Sequence, residues 1–411
     1  MKVINSILKT YPLVIVLVCT IVIAIGVFFL YSSSLSREGL PQEGKNIDEY
    51  AKDMVALCKD AGYRPLCYER EVPKLVEVLP TERIFDVVRK IRIYDSEYLY
   101  CHVLAHKLGR YEVSIDPNNW LDAIAKGPTD GMCSNGFAHG AIVTRFSDEN
   151  LSKEEFESAL PDLSIACEPR EGYDPTDLTK AICYHGIGHV LIHMTLANVT
   201  QSLQACNVIA VKSDGRDYTR VCTEGVYMQL FQPLEPEDFA LVDMLPYKPI
   251  KENLSQFCKE FSTNDTQYGA CYREAWPLFG NDIYSSDGLN LYCSQLTQNQ
   301  DIESCYVSVF TIVGRHGLAE PEKMAETCNG IQDEYKGMCF ARVANAFPEE
   351  NPDLVQDGVA FCGRANTKTA QDECYIFLAN VASFNFHAGS SAFEELCTSL
   401  PAKFEGVCRG Q

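Results

Sequence analysis

Hydrophobic positions along this chain form two kinds of run. The first is continuous. From Leu13 to Leu30 the residues are apolar apart from Cys19 and Thr20, and no charge occurs between Lys9 and Arg37. About twenty apolar residues at ~1.5 Å rise each cross a ~30 Å hydrocarbon core. A cleaved signal peptide has a shorter apolar region, roughly 7–15 residues, and a small-residue cleavage site. The pattern therefore predicts a retained transmembrane helix over 13–31, behind a tail over 1–12 and ahead of a polar linker over 32–46. Lys2 and Lys9 precede the segment, and the stretch after it is rich in Glu and Asp. The positive-inside tendency then leaves the N-terminus in the cytoplasm and the bulk of the chain outside it.

The second kind of run is short and recurs. An aromatic-plus-apolar stretch opens at Cys67-Tyr68, Cys183-Tyr184, Cys271-Tyr272, Cys305-Tyr306, Cys339-Phe340 and Cys374-Tyr375. Ahead of each stands another run with helix-start signals. Ser152-Lys-Glu-Glu155 and Ser391-Ala-Phe-Glu394 read as capping boxes, and Asn351-Pro352 places a cap before a first-turn proline. The segments between are polar, as in Asn366-Thr-Lys-Thr, Ser262-Thr-Asn-Asp-Thr and Ser213-Asp-Gly-Arg-Asp, and read as loops. Each unit is thus a pair of helices.

Cysteines mark the units. The pairs are Cys58/Cys67, Cys101/Cys133, Cys167/Cys183, Cys206/Cys222, Cys258/Cys271, Cys293/Cys305, Cys328/Cys339, Cys362/Cys374 and Cys397/Cys408. From Cys258 the first members step by 35, 35, 34 and 35 residues, and from Cys271 the second members step by 34, 34, 35 and 34. A fixed period of this size signals stacked repeats. The expected fold is all-α, a solenoid-like α/α array of helix pairs, each closed by a disulfide, behind one N-terminal transmembrane helix. Closing loops of this length contributes ~3 kcal/mol each in the chain-entropy model.

The period equals that of tetratricopeptide repeats, and one disulfide per helix pair is similar to the layout of secreted Sel1-like repeats. The likeness is architectural and covers roughly residues 47–411. It implies an α/α array and carries no functional residue across, because the Trp-Leu-Gly-Tyr signature is not in this chain.

Composition narrows the setting. Eighteen cysteines beyond Cys19 on the exported side read as disulfides in an oxidising compartment. The net charge of −21 argues against nucleic acid or an anionic lipid surface as a partner. No phosphate loop, nucleophile elbow or haem-attachment motif is present.

Histidines break the regularity. Six of the eight lie between residues 95 and 230. Three segments share a frame: Cys133-Ser-Asn135-Gly136-Phe-Ala-His139, Cys183-Tyr-His185-Gly186-Ile-Gly-His189 and Cys222-Thr-Glu224-Gly225-Val-Tyr-Met228. Each carries polar or metal-ligating groups at both variable positions, where the later repeats have Arg273, Val307, Ala341 and Ile376, then Pro277, Thr311, Asn345 and Asn380. Ahead of them, His102 and His106 share one helix face at i and i+4, as do His185 and His189. No glutamate completes the zinc-peptidase motif. His193 lies ~12 Å up the axis from His185, so one metal cannot bind both, and His193 is either an outer residue or part of a second site.

The candidate metal ligands are therefore His102, His106, His139, His185 and His189. Imidazole ligation suits zinc, copper, iron or nickel, and haem between opposed histidines is a variant. Gly136, Gly186 and Gly188 permit close approach of a cofactor or of a neighbouring helix. Glu224 is the candidate general base if the site is enzymatic. This N-terminal half would span 47–230, and a regular half, 231–411, would follow as scaffold. The competing reading is a non-catalytic scaffold that binds a protein partner on its C-terminal repeats through exposed aromatics such as Tyr306 and Phe340, and a third is a sensor or assembly factor whose metal is purely structural.

Overall fold

The computed structural model describes residues 43–411, except 96–97, 99–100, 129–131, 147–151, 234–235, 295–298 and 411. The expected tail, membrane segment and most of the linker lie outside the described residues. Among the described residues no helix is long and apolar enough to cross a membrane.

The described residues form 21 α-helices with short 3-10 turns and no strand. The first helices are α1 (Ile47–Cys58), α2 (Arg64–Glu71), α3 (Thr81–Tyr94), α4 (His102–Ile115), α5 (Trp120–Ala125) and α6 (Gly136–Phe146). Then α7 (Lys153–Ala166) pairs with α8 (Asp177–Met194), and α9 (Val199–Ile209) with α10 (Thr219–Phe231). After α11 (Pro236–Asp243), the pairs are α12 (Leu254–Phe261) with α13 (Asp265–Glu274), and α14 (Ser286–Cys293) with α15 (Asn299–Gly317). The last three pairs are α16 (Pro321–Asn329) with α17 (Asp333–Glu350), α18 (Val355–Cys362) with α19 (Lys368–Asn385), and α20 (Ser391–Ser399) with α21 (Ala402–Cys408).

Local chemistry starts these helices where the sequence indicates. Ser152 and Glu155 form the expected capping box on α7. On α20 the cap falls one residue earlier than expected: Ser390, not Ser391, accepts from the Phe393 N–H. The polar loops supply caps too, with Asn264 accepting from Gln267 N and Thr367 from Ala370 N. All nine expected disulfides form, with Cα atoms 4.9–5.7 Å apart. Eight join a cysteine at or near the C-terminal end of one helix to a cysteine one or two turns into the next, which for Cys408 is the last residue of the short helix α21. Cys101–Cys133 differs, because Cys101 precedes α4 and Cys133 lies in the 3-10 turn that leads into α6.

All eighteen bridged cysteines are buried, and of the aromatic residues that follow a second cysteine Tyr68, Tyr184, Tyr272, Tyr306 and Phe340 are buried too. Tyr306 stacks on Tyr335 at 4.3 Å between ring centroids, and Phe340 lies 5.3 Å from Phe361. Tyr306 and Phe340 are 2% and 0% exposed, which corrects the expectation that they face a partner. Their position beside the cysteines puts them at the seam between the paired helices, where burial of a large ring contributes most.

The second helices of the units pack side by side in the order α4, α6, α8, α10, α13, α15, α17, α19. The row does not stay open. α19 returns to α8, and α17 meets the turn at 132–135. The Cys101 N–H donates to Glu350 Oε1 at 3.4 Å, across 249 residues of sequence. His387 Nε2 meets the Asp174 carbonyl at 2.9 Å, and Arg92 faces Asp357 at 3.6 Å. The expected open array is therefore a closed ring of second helices.

Candidate metal centre

The ring encloses a cavity of about 660 Å³. Its wall takes residues from nearly every second helix: His102, His139, His185 and His189, then Glu224 and Met228, Glu274, Arg315, Arg342 and Glu349, and Phe384.

Glycines bring the histidine helices to backbone contact. A Cβ on Gly109 would stand 2.0 Å from the Phe137 carbonyl oxygen, one on Gly136 2.3 Å from that of His102, and one on Gly140 2.1 Å from that of His106. The pair α8 and α10 repeats the arrangement. A Cβ on Gly188 would lie 2.1 Å from the Cys222 oxygen, and one on Gly225 1.9 Å from the His185 oxygen. A Cβ on Gly186 would strike the His139 ring at 2.0 Å. The close approach at Gly136, Gly186 and Gly188 is therefore made by protein, and no gap for a flat cofactor opens above them. A helical glycine costs about 1 kcal/mol relative to alanine, and here the helix contact offsets it.

Three of the expected ligands converge. His102, His106 and His139 each offer a ring nitrogen, and these atoms all lie within 4.8 Å of one another. The rings of His102 and His106, one turn apart on α4, are 4.9 Å between centroids, and His139 from α6 stands 5.1 and 5.5 Å from them. His185 and His189 continue the cluster on α8, 6.1 and 5.5 Å from His139 and 4.9 Å from each other.

Four of the five rings are oriented by a fixed partner, as is usual for metal-ligating histidines. His102 Nδ1 meets the Cys133 carbonyl at 3.1 Å. Cys133 has φ +56°, a left-handed backbone that non-glycine residues rarely adopt, held by its disulfide and the turn. His139 Nε2 meets the Ile182 carbonyl at 3.0 Å, His189 Nδ1 meets Gln229 Oε1 at 2.6 Å, and His185 Nε2 meets Met228 Sδ at 3.1 Å. The Nε2 atoms of His106 and His189 are buried with no hydrogen-bond partner. Burial, reinforced by the neighbouring imidazoles, pushes the pKa of His106, His139 and His185 well below the usual histidine value, and burial lowers that of His189. Burial thus favours the neutral, ligating form of these four rings.

His193 stands apart, 3.2 Å from Asp238. Glu224 is on the cavity wall, but its Oε1 accepts from Arg273 at 2.6 Å and from Arg220 at 3.2 Å. The carboxyl that sequence reasoning missed is Glu274, next to Arg273. Burial, and then the charge of Glu224, push it up to about 8. Gln232 Nε2 donates to its Oε2 at 3.1 Å. Gln229 was missed as well; its only sequence signal is its place four residues after Gly225, as Gly140 follows Gly136.

The chain matches no protein-family model, no curated protein and no solved structure.

Proposed function

We propose that this protein is an extracytoplasmic transition-metal protein whose ion is held by His102, His106 and His139, of which His102 and His139 line the ring cavity. The observation that carries the reading is the convergence of three imidazoles from two helices within 4.8 Å, with His106 Nε2 buried and unpartnered. Leaving such a group unsatisfied costs about 1–3 kcal/mol, and a metal ion at that nitrogen removes the cost. All-imidazole ligation suits zinc, copper, iron or nickel. A bare ion is favoured over haem because protein fills the space at Gly136, Gly186 and Gly188.

Three protein ligands leave a fourth position for a molecule entering the cavity, where the ion acts as Lewis acid or activates water. The chain's own contribution is charge. Arg315, paired with Glu349 at 2.8 Å, and Arg342 line the wall together with Glu69, Glu224 and Glu274, so the cavity carries charge of both signs. Glu274, on the same wall, is pushed up to about 8 by burial and by Glu224, so it, rather than the ion-paired Glu224, is the acid of this reading. The reading includes the membrane segment over 13–31, with the nine disulfides on its exported side.

Elemental analysis of the full chain, purified without a histidine tag, tests it. About one equivalent of a transition metal, lost in His106→Ala, is the expected result. A folded, metal-free protein that takes up no added zinc, copper, iron or nickel would remove the reading. The scaffold alternative loses support from the burial of Tyr306 and Phe340.

A further inference from the structure

The two glycine-packed helix pairs are built to one plan. Gly136 of α6 rests on the His102 carbonyl, and Gly225 of α10 rests on the His185 carbonyl. His102 and His106 on α4 therefore correspond to His185 and His189 on α8. Three residues beyond the contact glycine, α6 carries His139, and α10 carries Met228. In the first pair the third residue completes a three-imidazole group. In the second, the same place holds a thioether whose sulfur lies 3.1 Å from His185 Nε2.

We propose that His185, His189 and Met228 form a second metal centre, selective for Cu(I). It rests on the reading of the first triad as a metal site only in taking the same helix-pair frame. Three observations carry it. His189 Nε2 is buried without a partner. The other nitrogen of that ring is fixed by Gln229 at 2.6 Å, and the His185 ring is fixed by the Val221 backbone. All three side chains line the cavity, so an ion can reach them. A donor set of two imidazoles and one thioether is softer than three imidazoles. Thioether sulfur binds Cu(I) well and binds zinc, nickel and ferrous iron poorly in competition with nitrogen and oxygen donors. The first centre is a general imidazole site; the second discriminates by softness.

The experiment uses the full chain, Met228→Leu, which nearly conserves volume, and His106→Ala. Cu(I) is supplied anaerobically from an acetonitrile stock, without thiol reductant, against a chromogenic chelator. Stoichiometry is read together with the copper X-ray absorption spectrum. The wild type is expected to show a copper–sulfur shell. Met228→Leu loses that shell and weakens one Cu(I) equivalent by at least the ~10-fold that losing even an outer-shell partner costs, while zinc bound in His106-dependent fashion is unchanged. His106→Ala keeps the sulfur shell. Absence of sulfur scattering in the wild type, or identical Cu(I) binding in wild type and Met228→Leu, would overturn the proposal. Loss of metal in His106→Ala together with no effect of Met228→Leu leaves the first centre standing and removes the second. The converse leaves only the second. Circular dichroism of both variants separates loss of a ligand from loss of fold.

Discussion

The disulfide between Cys101 and Cys133 joins the starts of the two helices that carry His102, His106 and His139, with 4.9 Å between its Cα atoms. Every other disulfide joins a cysteine at or near the last turn of one helix to a cysteine one or two turns into the next. This one sets the spacing of neighbouring second helices, and Cys133 also offers the carbonyl that orients His102.

Replacing both cysteines by serine therefore separates ligand alignment from general stability. Its 32-residue span implies a stabilisation of roughly 3–4 kcal/mol in the chain-entropy model. The Cys397/Cys408 pair, at the far end of the chain, is the comparison. Both double variants are expected to lower Tm. Only Cys101→Ser/Cys133→Ser is expected to weaken metal binding, measured by titration below each variant's Tm. Equal metal affinity in the two would show that the bridge does not align the ligands.

Gly136 tests the helix contact. Alanine there places a Cβ 2.3 Å from the His102 carbonyl oxygen. Overpacking of this kind costs on the order of 1–3 kcal/mol or more, and relief requires α4 and α6 to part, which spreads the triad. Gly136→Ala should lose stability and metal together. Gly62→Ala, where nothing lies within 4 Å of the added atom, should stay within about 0.5 kcal/mol of wild type. Denaturant unfolding of both variants measures the difference.

Glu274 gives stability a pH dependence whose sign follows from its raised pKa. An unfolded glutamate ionises near 4.5, the folded one at about 8. Between those values the folded state binds more protons, so stability falls as pH rises through the window. Glu274→Gln removes this loss. The variant's Tm should match wild type near pH 4 and exceed it above pH 8, by an amount of order a few kcal/mol in free energy. A Tm difference that does not change with pH would show that Glu274 ionises normally.

Gln229 orients His189 without being placed to bind the ion. Gln229→Leu should weaken Cu(I) at the second centre by roughly 10–100-fold. Zinc or copper at the first triad should be retained. Equal Cu(I) affinity in the variant would make the 2.6 Å contact incidental.

What was legible in the sequence was what local chemistry writes. Cysteine spacing gave all nine bridges, because each lies within a unit of 9–32 residues. Cap residues and polar loops gave the helix starts to within about a residue. The histidine convergence was legible because i, i+4 spacing and a shared register after the second cysteine both survive folding. What the sequence hid depends on curvature. Glu350 meets Cys101, and His387 meets Asp174, only because the array bends back on itself. The per-unit rotation that sets that bend is a sum of side-chain packings with no motif of its own. Glu274 was hidden for the same reason. Beside Arg273 it reads as an ordinary surface pair, and its raised pKa arises once the ring buries it and sets Glu224 beside it. Tyr306 and Phe340 were misplaced because a repeat viewed alone has no inside; the stacked neighbour supplies it.

Ring closure also fixes an order of events in biosynthesis. Chains are made from the N-terminus at roughly 5–20 residues per second. Helices α4 to α10, with all five clustered histidines, therefore exist well before α17 and α19 arrive to complete the wall. For that interval the cavity face of His102, His139, His185 and His189 lacks the part of the wall that α17 and α19 supply, and afterwards any ion has to pass through the mouth of a finished cavity. The site has two different accessibilities in the life of one molecule. If an ion is bound as proposed, its identity then depends on what is present before α17 and α19 are made, as well as on affinity in the mature protein.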